Sequence, residues 1–150
     1  MAYELCSRKA YNERGNRVLR ALDNKLLISA DTLREELTKL TPEDTTKAVL
    51  TCNDWFFGGK RQYSGMRMHG DKFYRRWSSH SWGQALDLIS KHYSADFLRK
   101  FILDNRDKFP YITRIEDGVN WLHIDTANLP ANAPEGAIML FNTKGNYTYV

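Results

Sequence analysis

The chain predicts an α+β fold: N-terminal helices, then a mostly antiparallel sheet with one inserted helix. Three observations carry this. Leucines recur at helical spacing in the first fifty residues. After Thr51 the texture changes to short alternating, aromatic-rich runs separated by turn residues. One strongly capped amphipathic stretch, Ser94 onward, interrupts those runs. Helices first and strands later is the α+β order.

Val18, Leu19, Leu22, Leu26 and Leu27 mark the first helical face. Asp31 is placed to cap a helix carrying Leu33, Leu37 and Leu40. Thr41-Pro42-Glu43-Asp44 reads as a further helix start, with proline at the first helical position and acids in the first turn, running to about Leu50. DWFFGGKRQYSGMRMHG, from Asp54, predicts strand, turn, strand. GQALDLIS predicts another strand. Ser94 then caps a helix over ADFLRKFILDNRDKF with Phe97, Leu98, Phe101 and Ile102 inward, ended by Pro110. YITRIE, NWLHIDT and AIMLFN supply three more strands.

The 150 residues suit a single domain, helical over about 1–51 and carrying the sheet and site over about 52–150. No repeat, low-complexity tract or linker divides it. At 42% hydrophobic and 27% charged, the composition is globular, not that of a disordered tail. The net charge of +4 suits an anionic partner without requiring one. No apolar run approaches the ~20 residues needed to span a bilayer, so no membrane insertion is expected. The N-terminus lacks an apolar signal core, which predicts a chain made in the cytosol. Cys6 and Cys52 are then expected as separate reduced thiols, and without CxxC spacing they do not suggest a zinc site.

The chemistry concentrates around two histidines. In extended GQALD, Gly83, Ala85 and Asp87 share one face, and His80 lies in the preceding loop, able to fold back over it. Gly83 permits close backbone approach, and Ala85 leaves space beneath an ion. In WLHID, Trp121, His123 and Asp125 share a face, while Leu122 and Ile124 point into the core. A lone histidine is readily explained by packing. Two imidazoles plus one carboxylate form a catalytic zinc set with the fourth position left to water or substrate. Zinc there would polarise a carbonyl and lower the pKa of bound water toward ~7. His69 and His92 lack such context and read as surface or packing residues.

Ser78-x-His80-x-x-Gly83-x-Ala85-x-Asp87 resembles the SxHxxGxAxD signature of the D-alanyl-D-alanine carboxypeptidase and L-alanoyl-D-glutamate endopeptidase zinc peptidases. Trp121-x-His123-x-Asp125 is similar to their later metal-ligand strand, and Ser64-Gly65-Met66-Arg67 to their S-G-[YF]-R segment. The resemblance covers roughly residues 64 to 126, and the hedgehog signalling domain shares that fold. It implies His80, Asp87 and His123 as zinc ligands. It implies that Arg67 holds substrate or stabilises the tetrahedral intermediate; a surface pair with an acid is the alternative.

Two positions depart from the family pattern. Asn120 stands where many members carry an acid as general base, and Trp121 where many carry His. If Asp117-Gly118 forms a two-residue hairpin turn, Glu116 pairs with Val119 and Arg114 with Trp121. Glu116 then faces the ligands and is the first choice for the base, ahead of Asp125 and Asp117. A salt bridge from Glu116 to Arg67, Arg75 or Arg76 is the competing role. KRQYSGMRMHGDKFYRRW interleaves aromatics with cations, as nucleic-acid binders do. No nucleic-acid motif accompanies it, and a groove for a cell-wall polymer would look the same.

The expected function is therefore zinc-dependent cleavage of peptidoglycan stem peptides. Compact length and absence of a wall-binding module suggest a bacteriophage product. It would be an endolysin acting at the cell wall after lysis or a virion-associated hydrolase seated among other virion proteins. The alternative is a non-catalytic virion structural or binding protein that retains the zinc-peptidase fold.

Overall fold

Side-chain caps set the helix starts. A computed structural model describes all 150 residues. Ser7 accepts from the Ala10 N–H to begin α1 (Arg8–Arg14). A 3-10 stretch, Gly15–Ala21, follows and buries Val18. Asp23 accepts from the Lys25 N–H to cap α2 (Asn24–Leu40), which buries Leu26, Leu33 and Leu37. Asp31 thus lies inside a helix instead of capping one. Neither Gly nor Pro interrupts residues 24–40, so the two expected helices merge. The helix expected from Pro42 to Leu50 shrinks to a 3-10 turn, Thr45–Ala48. Val49 must be extended for the chain to enter β1 (Leu50–Thr51).

Residues 54–70 form no strand pair, contrary to the alternation. A 3-10 turn occupies Trp55–Phe57, and Met66 makes only an isolated bridge with Cys6. Side-chain bonds compete with a ladder here. The Asp54 carboxylate accepts from the Arg61 N–H at 2.8 Å and the Asn53 side-chain amide oxygen, Oδ1, from the Ser64 N–H at 3.0 Å.

The remaining strands are β2 (Ala85–Ser90), β3 (Arg114–Glu116), β4 (Leu122–Asp125), β5 (Met139–Phe141) and β6 (Tyr147–Tyr149). They form a six-stranded sheet of order β1-β2-β4-β3-β5-β6, antiparallel except for β3–β5. Between β2 and β3, Ser94 caps α3 (Ala95–Asp104) by accepting from the Phe97 N–H. Leu98 and Ile102 turn inward as expected, while Phe97 is 41% exposed. The helix ends at Asp104, ahead of Pro110, and passes into a 3-10 turn, Arg106–Lys108.

Alternation divides the sheet into two faces. Leu86, Leu88, Ile115, Leu122 and Ile124 join Leu26, Leu33 and Leu37 of α2 and Leu98 and Ile102 of α3 in the main core. The opposite face carries the polar residues. No helix is long and apolar enough to cross a membrane.

The β3–β4 connection differs from the expected two-residue turn. Glu116 pairs with His123 and Arg114 with Asp125, and residues 117–121 form a longer loop. Arg99, buried on α3, explains it. Its guanidinium donates to the carbonyls of Glu116, Val119 and Trp121 at 3.3, 2.9 and 3.0 Å. The register moves by an even number of residues, so Glu116 stays on the face of His123 and Asp87. Asn120 lies in that loop.

Candidate metal centre

The sheet register assembles the site. Asp87 on β2 and Glu116 on β3 both pair with His123 on the central strand β4, so the three form one row. The adjacent row holds Ala85, Asp125 and Arg114. His80 arrives from a 3-10 turn, Ser79–Trp82, closed by Gly83 at φ +69. A side chain at Gly83 would meet the Ala21 carbonyl oxygen at 2.1 Å, which is the close approach the sequence suggested.

Residues 64–67 thread through the centre. The Ser64 carbonyl accepts from the Asp87 N–H at 2.7 Å, and the Arg67 N–H donates to the His80 carbonyl at 3.1 Å. The Gly65 carbonyl accepts from His80 Nδ1 at 3.0 Å. Arg67 Nη2 lies 3.2 Å from Asp87 Oδ2, and its Nε donates to the Tyr63 carbonyl. Arg67 is thus paired with the buried Asp87 carboxylate and not with a surface acid.

His80, Asp87 and His123 are buried and bring one ligand atom each to within 4.8 Å of one another. This group could hold a metal ion. His80 Nε2 is 3.3 Å from Asp87 Oδ2, and His123 Nδ1 is 2.7 Å from Asp87 Oδ1. The other nitrogen of each ring already has an acceptor: Gly65 O for His80, and Asp125 Oδ2, at 3.1 Å, for His123. Such bonds fix ring orientation and the nitrogen left for a metal. The donor set, two imidazoles and a carboxylate, fits zinc chemistry.

Electrostatics favour the ionised carboxylate. Burial raises the Asp87 carboxyl, but hydrogen bonds from His123 and His80 outweigh it and hold the group well below the usual range. Burial lowers the His80 imidazolium. Burial acts the same way on His123, yet its bonds to Asp125 and Asp87 raise it to about 9. The His123 Nδ1 proton thus sits where an ion would be bound, so metal binding is coupled to its release.

Asp125, the second choice for a base, has another role. It is fully buried, and its carboxylate accepts from Arg114 Nε at 2.8 and 3.0 Å, Ser79 Oγ at 3.2 Å and the Ala127 N–H at 3.1 Å, besides His123. With those lone pairs occupied it orients His123 and is not free to take a proton from water. Asp117 is exposed and pairs with Arg99 Nε at 3.5 Å, turned toward α3. Glu116 makes no ion pair: Arg67 engages Asp87, Arg99 engages Asp96 and Asp117, and Arg114 engages Asp125. Its half-buried carboxyl is raised, chiefly by burial. The indole N–H of Trp121 lies buried near that carboxylate without a hydrogen bond of normal geometry.

The H-x-D spacing puts Asp125 on the His123 face, which is the signal that could have identified its orienting role. Nothing in the sequence marked Gly65 O, Ser79 or Arg99. His69 and His92 are exposed and do not belong to the candidate metal group. Cys6 and Cys52 are buried free thiols, and burial pushes Cys6 up to about 12, far from a reactive thiolate. No family model, no curated protein and no solved structure matches the chain.

Proposed function

We propose that this protein is a zinc-dependent peptidase acting on peptidoglycan stem peptides. The observation that carries the reading is the buried His80–Asp87–His123 group with Glu116 in the same cross-strand row. The sequence resemblance of residues 64 to 126 to the cell-wall zinc peptidases supplies the substrate class. Within that class, the expected setting is a bacteriophage endolysin or a virion-associated hydrolase.

His80 Nε2, the Asp87 carboxylate and His123 Nδ1 would hold the ion. When bound, zinc supplies Lewis acidity at the scissile carbonyl. Glu116 takes a proton from water as the water oxygen adds to that carbonyl. The C–N bond then breaks, and Glu116 delivers the proton to the departing amine. A carboxyl raised by partial burial suits both transfers. Arg67 pairs with Asp87, helps orient it and adds positive charge for the developing oxyanion. Asp125, itself gripped by Arg114, keeps the His123 ring aligned.

The test is zymography on purified peptidoglycan, with and without chelator, beside zinc content. Glu116→Gln keeps shape and removes the proton acceptor. It should lower hydrolysis by ~10²–10⁴ while zinc stays bound. Full activity in Glu116→Gln removes Glu116 from the mechanism. A zinc-loaded wild type that cleaves no wall substrate overturns the peptidase reading in favour of a non-catalytic virion protein, for which Asn120 speaks.

A further inference from the structure

Trp77 and Trp82 bracket the His80 turn and point outward. Trp77 is 77% exposed and Trp82 56% exposed. Their rings stack at 6.1 Å between centroids with 20° between planes. Large aromatic side chains grouped on a surface mark a binding site more often than scattered apolar residues do.

The ledge is held in place by its own loop. Trp82 Nε1 donates to the Arg76 carbonyl at 3.0 Å, Ser81 Oγ to the Arg75 carbonyl at 2.8 Å, and the Ser78 N–H to the same Arg75 carbonyl at 3.0 Å. The Arg76 guanidinium lies over Trp77, 5.1 Å from the ring centroid. These bonds fix the two rings before any ligand arrives, which reduces the entropic cost of binding. They also occupy the Trp82 N–H, so that ring offers a ligand its π face and not a donor. The same short segment supplies Ser79 to Asp125 and His80 to the metal group, so the ledge and the centre are continuous.

We infer that the Trp77–Trp82 ledge binds the glycan strand of the cell wall, beside the centre that handles its peptides. A pyranose ring presents a face of C–H bonds, which the negative face of an indole attracts. A nucleobase also stacks on indole, but nucleic-acid binding draws on a row of cations along the backbone. Here Arg76 is already laid on Trp77, and Arg75 Nη1 donates to the Tyr74 carbonyl. The choice of a glycan rests on the cell-wall reading above, whereas the ledge itself does not depend on catalysis.

The experiment uses the zinc-loaded full chain and soluble glycan strands stripped of all peptide, with calorimetric titration. A single-stranded oligonucleotide of similar length is the second probe at the same salt. The wild type should bind the glycan, and Trp77→Ala and Trp82→Ala should each weaken binding at least ten-fold. Zinc content and melting temperature should stay unchanged in both. Trp77→Phe, which keeps an aromatic face, should retain most of the affinity. Glu116→Gln should bind as the wild type does. The inference is overturned if the wild type does not bind the stripped glycan or if both alanine variants bind it equally well. It is also overturned if the oligonucleotide binds more tightly and in a Trp77-dependent way. Because no peptide bond is present, failure here leaves the peptidase reading standing. Conversely, an inactive chain that still binds glycan through the tryptophans fails only the peptidase reading.

Discussion

Replacing Arg99 with Met keeps an unbranched apolar stem and removes the guanidinium. Three backbone carbonyls lose their donor: Glu116, Val119 and Trp121. Hydrogen bonds to a charged group contribute about 1.5–3 kcal/mol each, which would give an upper sum well above the true cost. Two offsets reduce it. The guanidinium is only 7% exposed, so its desolvation cost is recovered. The loop is also partly open, so water can reach some of the freed carbonyls. The net loss should be about 2–4 kcal/mol. At ~2–4 °C per kcal/mol for a chain of this size, melting should fall by roughly 4–16 °C. The carboxylate partners Asp96 and Asp117 have side chains 88% and 64% exposed, where ion pairs contribute little. Asp96→Asn combined with Asp117→Asn should therefore cost under about 1 kcal/mol. Arg99→Lys, a single point donor, should recover only part of the loss. The assay is urea unfolding at fixed zinc concentration, followed by circular dichroism. A loss below about 1 kcal/mol in Arg99→Met, or a larger loss in the double carboxylate variant, would refute carbonyl capture as the force that shapes this loop.

Asp125→Asn should lower zinc affinity about 10–100-fold, because His123 loses its charged acceptor; competition with a chromogenic chelator measures this. Gly83→Ala should destabilise by at least about 1–2 kcal/mol, since the position is left-handed and its Cβ would meet the Ala21 carbonyl; thermal melting checks it. Hydrogen bonds from Lys108 and Lys39 hold Glu36 below its ordinary value. Its folded value is therefore the lower one, so its stabilisation is present above the unfolded carboxylate range and is lost as pH falls through the folded value. Glu36→Gln should flatten the acid limb of a stability–pH curve and leave the neutral-to-alkaline limb parallel to wild type.

The residues of the candidate metal group were legible because their chemistry is written locally. His80 and Asp87 share one turn-and-strand segment, and period-two alternation places His123 and Asp125 on one face. Face assignment also survived an incorrect turn, because the register moved by an even number of residues. What stayed hidden depends on contacts distant in sequence. The Arg99–carbonyl bonds join α3 to a loop some twenty residues away. The alternation in residues 54–70 suggested strands, yet Asp54 and Asn53 bind the local backbone instead. Likewise, Asp31 reads as a cap until Asp23 is found to begin the helix earlier.

The most direct test of the central claim is elemental analysis of the dialysed full chain beside its variants. The account predicts about one zinc per chain, lost in His80→Ala and His123→Ala and kept in His69→Ala, His92→Ala and Glu116→Gln, since only the first two supply ligands. A folded wild type that takes up no zinc when it is offered, or a His123→Ala variant that keeps a full complement, would contradict it.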